Sequence, residues 1–146
     1  MLLALAALII QLPPLPLADP YSEATWKAWT VLVRARLRNE ANAEYTWSGA
    51  GPAHLALIRR LPDQAPGKQQ YVEFLKETYG YNIDRLNAAY GLSASSFTEL
   101  YSLDYRSLDI TRTGVRQDDT TFLTRLNDLL FADAKKLTGR TVRFLQ

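Results

Sequence analysis

Cysteine is absent from the 146 residues, and histidine and methionine occur once each, as His54 and Met1. Without cysteine there is no disulfide framework, no thiolate zinc site and no cysteine nucleophile. A single histidine excludes His-pair metal sites and leaves little room for a Ser-His-Asp triad. An excess of charge of one sign is lacking too. Seventeen Lys and Arg against 15 Asp and Glu leave a net charge of +2, too small to indicate nucleic acid as a partner. No cofactor and no metal is implied. The length suits one domain with a real core, yet it is too short for a complete (β/α)₈ barrel of about 250 residues.

Charge is also missing locally, because residues 1–18 carry none. Leu2 to Ile10 form an apolar run shorter than the ~20 residues that span a bilayer. Two readings stay open for it. Its length and the small Ala18 before Asp19 fit a secretory signal peptide, which implies a secreted or periplasmic protein and gives the only membrane contact expected. No Lys or Arg precedes the run, however, and a buried strand or helix of a larger protein fits equally.

The rest, residues 19–146, reads as one mainly α region of short helices joined by Gly/Pro loops, with a C-terminal strand. Trp26, Trp29, Val33 and Leu37 recur at helical spacing after Ser22, a residue suited to capping. Val31 to Arg38 also alternates as an edge strand would, but the Trp spacing favours helix. Trp47 to Pro52 breaks the pattern and reads as a loop, followed by a short helical piece from His54 to Leu61. Tyr71, Phe74, Leu75 and Tyr79 share a helical face ended by Gly80. Ile83, Leu86 and Tyr90 form another, started by Asn82 and ended by Gly91.

Ser96 and Glu99 have capping-box spacing, and Tyr101 to Gln117 reads as a long loop. A last helix is expected to start at a cap on Asp118 or Asp119. Its inward residues would be Phe122, Leu126, Leu129 and Leu130, with Lys135 and Lys136 in the last turn and Gly139 after it. Thr141 to Leu145 is rich in β-formers, and a strand there needs a sheet to join.

The ordered set Leu61-Pro62-Asp63-Gln64-Ala65-Pro66-Gly67-Lys68, Tyr71-Val72-Glu73-Phe74-Leu75, Tyr79-Gly80, Ile83, Leu86-Asn87-Ala88-Ala89-Tyr90-Gly91 and Ser96-Phe97, with the later Asp118-Asp119 and Phe122-Leu123, is distinctive. It resembles a helical segment of agarase-like and β-galactosidase-like glycoside hydrolases, where such a stretch is inserted into a (β/α)₈ barrel. The resemblance spans about Asp19 to Leu145 and is strongest from Leu61 to Leu100. It implies carbohydrate as the partner and carboxylate acid/base chemistry, which needs two carboxyl groups across the scissile bond. In such enzymes the acid/base lies on a strand just before the matched stretch, close to a Trp. The nucleophile follows several strands later, beyond residue 146.

The positions that correspond to the acid/base segment run from Arg38 to Trp47. Asn39-Glu40 resembles the Asn-Glu pair of barrel glycosidases, and Glu44 stands three residues before Trp47. Glu40 and Glu44 are therefore the candidate catalytic residues, against the plainer reading of surface carboxylates near a helix end. Trp47, placed in a Gly-rich loop, is the candidate for stacking on a sugar, whereas Trp26 and Trp29 suit the core. Asp118-Asp119 supplies too few oxygens for calcium and suits a helix cap. Arg34, Arg36 and Arg38 with Arg59-Arg60 read as a solvated face rather than a basic strip. His54 has no evident partner and reads as structural.

Two functions follow. The first is a fragment or shortened relative of a carbohydrate-active hydrolase, inactive as an isolated chain. The second is an exported helical module that binds a polysaccharide or a partner protein. In either case, helices that would lie on a barrel leave apolar surface uncovered, so self-association is expected.

Overall fold

A computed structural model describes residues 6–145. The protein is mainly α, as the sequence suggests. The elements in chain order are β1 (Leu8–Gln11), α1 (Glu23–Arg34), β2 (Ala43–Trp47), α2 (Pro52–Arg60), α3 (Pro66–Thr78), α4 (Ile83–Tyr90), α5 (Thr113–Thr138) and β3 (Val142–Phe144). Single 3₁₀ turns at Phe97–Tyr101 and Tyr105–Ser107 fill the stretch before α5.

All three strands are parallel, in the order β1-β2-β3. Parallel neighbours cannot be joined by a hairpin, so the chain must cross back each time. α1 makes the first crossover and α2 to α5 make the second. The described part of the apolar N-terminal segment is built into this arrangement. Leu8 to Gln11 pair with Ala43 to Thr46, and Leu12 and Leu15 are buried in the core. Its first residues, through Leu5, lie outside the described region. No helix among the described residues is long and apolar enough to cross a membrane.

β2 corrects the expected loop at Trp47. Ala43, Tyr45 and Trp47 are buried and alternate with half-buried Glu44 and Thr46, the period-2 pattern of a strand with one covered face. The register sets Ile9, Gln11, Glu44, Thr46 and Arg143 on the opposite face. That face carries no layer among the described residues, and Ile9 is 65% exposed. Parallel sheets ordinarily have both faces covered.

Trp47 stacks on Trp29 with ring centroids 4.2 Å apart and meets Phe131 at 5.0 Å. The Trp29 indole N–H donates to the Pro13 carbonyl at 2.7 Å, which ties the N-terminal segment to α1. Just past β2, Gly49 adopts φ +63°, where a side chain would also collide with Asn127 Oδ1 at 2.3 Å. The Asn127 amide exchanges two hydrogen bonds with the Ala50 backbone there, at 2.8 and 3.0 Å, and so locks the end of β2 to α5. Glycine is the residue that tolerates both demands.

α4 starts and stops as expected. The Asn82 side chain accepts from the Asp84 and Arg85 amides, and Gly91 closes the helix in the left-handed conformation. α5 does not. It begins at Thr113, so Asp118 and Asp119 lie inside it rather than at its cap. Val115, Asp118, Phe122, Leu126, Leu130 and Ala134 form its buried stripe, whereas Leu129, expected inside, is 58% exposed. Leu37 likewise falls beyond the end of α1 and is exposed.

Candidate functional site

In parallel α/β sheets, ligands bind at the C-terminal ends of the strands, on the loops that follow them. β1 is followed by Leu12 to Ser22 and β2 by Ser48 to Gly51. Among these described residues the one carboxylate is Asp19. Its oxygens accept the Tyr21 amide at 2.9 Å and the Gly67 amide at 2.8 Å, and the residue is 8% exposed. Asp19 thus ties the β1–α1 connection to the first turn of α3 and has no free face for a substrate.

Glu40 and Glu44 lie at the other end of the sheet. Glu40 precedes β2, and Glu44 is its second residue. The Arg38 guanidinium donates from Nε to both Glu40 oxygens, at 3.1 and 3.2 Å, and also from Nη2. That hydrogen bonding holds the Glu40 carboxyl below the usual carboxylate range. Arg140 reaches across to the Glu40 and Ala43 carbonyls, at 2.6 and 2.8 Å, joining this loop to the start of β3. A general acid needs the opposite tuning, since it must keep its proton near neutral pH. Glu44 projects on the open face of the sheet, 3.8 Å from Arg143. The two glutamates therefore share one segment, and each is met by an arginine.

Trp47 is fully buried and points to the helical layer, so it offers no ring face to a sugar. Its indole N–H has no hydrogen-bond partner among the described residues. Trp26 is half-buried beside Trp29, with centroids 4.9 Å apart. His54 is structural, as read from the sequence. Its Nδ1 accepts the Gly51 amide at 3.2 Å, and its Nε2 lies 3.1 Å from the Pro16 carbonyl.

Further polar chemistry lies between the helices. Asp118 accepts the hydroxyls of Tyr79 and Tyr90, at 2.5 and 2.7 Å. Arg59 donates to the Tyr71 hydroxyl at 3.0 Å and pairs with Asp119. Burial, foremost, raises the Asp119 carboxyl above its ordinary range despite that arginine. The signal for this network was present in the pattern: Tyr71, Tyr79 and Tyr90 fall on apolar helix faces, where their hydroxyls must find partners. Among the described residues no group of three or more His, Asp or Glu could hold a metal ion.

No protein-family model matches the sequence, and no curated protein matches it. Against solved structures the chain is similar to an exo-beta-agarase, at 19% identity and a TM-score of 0.61. The match covers 87% of this chain and 20% of the agarase, so the chain spans about a fifth of that protein's length. At this identity the likeness is one of fold, agarase-like over this part of the molecule.

Proposed function

We propose that the chain forms one sector of a barrel-type glycoside hydrolase concerned with polysaccharide or β-galactoside breakdown, and that it has no turnover as an isolated polypeptide. The observation that carries this reading is the parallel three-stranded sheet with helices on one face, in a fold shared with an exo-beta-agarase. A barrel supplies what this sheet lacks, since closure pairs both edge strands and turns the open face inward. The sequence resemblance from Leu61 to Leu100 supports the same assignment independently of the sheet.

The absence of turnover follows from the carboxylates. Hydrolysis needs two, suitably tuned and facing each other across the glycosidic bond. Glu40 is held ionised by Arg38, and Glu44 lies toward the N-terminal end of its strand. The test is reducing-sugar release from agarose and hydrolysis of an aryl β-galactoside by the chain alone, where none above buffer is expected. Turnover abolished by Glu40→Gln or Glu44→Gln would overturn the inactivity. A chimera in which this chain replaces the matching fifth of the agarase tests the sector assignment. Retained hydrolysis supports it, and a folded but inert chimera counts against it.

A further inference from the structure

A cavity of about 570 Å³ opens between the end of α2, the start of α3 and the 3₁₀ turns. That volume lies within the range of small-molecule sites. No residue of the three strands lines it. Lys68 does, and it is an unusual residue for its place. It lies on the buried face of α3, one turn before Tyr71 and Val72, and is 2% exposed. Its ammonium donates to the Tyr101 carbonyl at 3.1 Å and lies 5.2 Å from the centre of the Tyr105 ring. No carboxylate among the described residues comes within ion-pair distance of it.

Burying a cation with no ion pair is costly, and burial, foremost, lowers the Lys68 pKa, while the more distant Asp63 charge acts in the opposite sense. An ammonium has three donors, and one carbonyl and one ring face do not satisfy them. The surrounding charges decide what would. Arg59, Arg60 and Arg106 line the same cavity, and a second one of about 240 Å³ also opens against all three. Arg59 is matched by Asp119, and Arg106 by a two-pronged contact with Asp104. Arg60 has only the Ala56 carbonyl of its own helix, at 3.3 Å. Lys68 and Arg60 are thus the cations left over, with the Asp63 carboxylate as the one unmatched anion on the wall.

We propose that this cavity binds a small oxyanion, the sulfate, phosphate or carboxylate group of a polar solute, with Lys68 as the inner donor and Arg60 at the rim. An oxyanion has the acceptor count that both groups need, and a guanidinium fork matches its geometry. This site is separate from the sheet and does not depend on the glycosidase reading.

Titration of the chain by calorimetry with inorganic sulfate, inorganic phosphate and acetate, at fixed ionic strength, tests the proposal. Saturable binding of at least one is expected, weakened about tenfold or more by Lys68→Met and by Arg60→Gln. Arg34→Gln, an exposed cation on another helix, should leave it unchanged. A preference for sulfate or phosphate assigns a tetrahedral ligand, and a preference for acetate assigns a carboxylate. Asp63→Asn removes the competing anion and should tighten binding, which keeps the test intact if Lys68→Met does not fold. No saturable binding, equal weakening by Arg34→Gln, or weaker binding in Asp63→Asn would overturn the assignment.

Discussion

Asp118 and Tyr90 meet inside the helical layer, the hydroxyl donating to the carboxylate at 2.7 Å, with Tyr79 donating to the same oxygen at 2.5 Å. The three residues come from α3's C-terminal end, α4 and α5, so one carboxylate joins three helices. No cation pairs with it among the described residues. Two hydroxyl donors do the work that an arginine does for Asp119.

Asp118→Ala should therefore destabilise the chain by about 2–4 kcal/mol, since it strands two tyrosine hydroxyls at once. Tyr90→Phe alone should cost less, because Asp118 keeps its bond to Tyr79. In a Tyr79→Phe/Tyr90→Phe background, Asp118→Ala should cost far less than in the parent. Urea unfolding of the set measures the coupling, and additive costs would show that the hydroxyls do not depend on Asp118.

Alkaline pH should unfold this protein cooperatively. Burial, foremost, raises the hydroxyl pKa of Tyr71, Tyr79, Tyr90 and Tyr105, and pushes Tyr21 up to about 12. Such a tyrosine keeps its proton in the folded chain after the unfolded chain has lost it. Its stabilisation is complete below the unfolded value of about 10 and is lost as pH rises above it. Each fully protected hydroxyl adds a slope of about 1.4 kcal/mol per pH unit in that window. Tyrosinate absorbance from these five of the eight tyrosines should appear together with the loss of helical circular dichroism. Their smooth ionisation near pH ~10 in a folded chain would contradict the burial argument.

The elements legible in the sequence are those whose signals are local. α4 announces itself by Asn82 at one end and Gly91 at the other, and both perform the expected roles. The buried stripe Trp29 and Val33 identifies α1 in the same way. β2 escaped because it is five residues long and two of them, Glu44 and Thr46, are polar. Glu44 and Thr46 face out from an open sheet, so the apolar run that marks a parallel strand never forms. Asp118-Asp119 imitates a cap because caps and buried acceptors use the same residue, and Tyr79 and Tyr90, far away in sequence, decide between them. Glu40 and Glu44 were legible as carboxylates, but the end of the sheet they occupy depends on the direction of β2, which no local pattern encodes.

The two stacked indoles, Trp29 and Trp47, should respond differently to the same substitution. Trp29→Phe removes the donor to the buried Pro13 carbonyl as well as ring area. Trp47→Phe removes ring area and an indole N–H that has no partner among the described residues. Losing an unpaired donor relieves a desolvation cost, so Trp47→Phe should be the milder change by about 1–2 kcal/mol. Thermal unfolding of the two variants compares them directly. Trp47→Ala, which empties the site, should cost about 3–5 kcal/mol and leave any glycan affinity of the folded chain unchanged. A larger loss in Trp47→Phe than in Trp29→Phe would show that the indole N–H has a partner.

β1 and β3 are both edge strands, and the face bearing Ile9, Gln11, Glu44, Thr46 and Arg143 has no cover among the described residues. Beyond the sheet face, Phe144 at the end of β3 is 56% exposed, and Val31 and Leu32 on α1 are 67% and 49% exposed. Unpaired edges with apolar neighbours template further pairing, and nature blunts them with charge. The isolated chain should therefore self-associate as its concentration rises, with the sheet as the contact. Ile9→Lys places a charge on the open face of an edge strand and should shift the chain toward monomer in sedimentation velocity. Val31→Lys, equally exposed but on a helix, should shift it less. A monomer at every concentration, or an equal response to both substitutions, would mean that the sheet is not the contact.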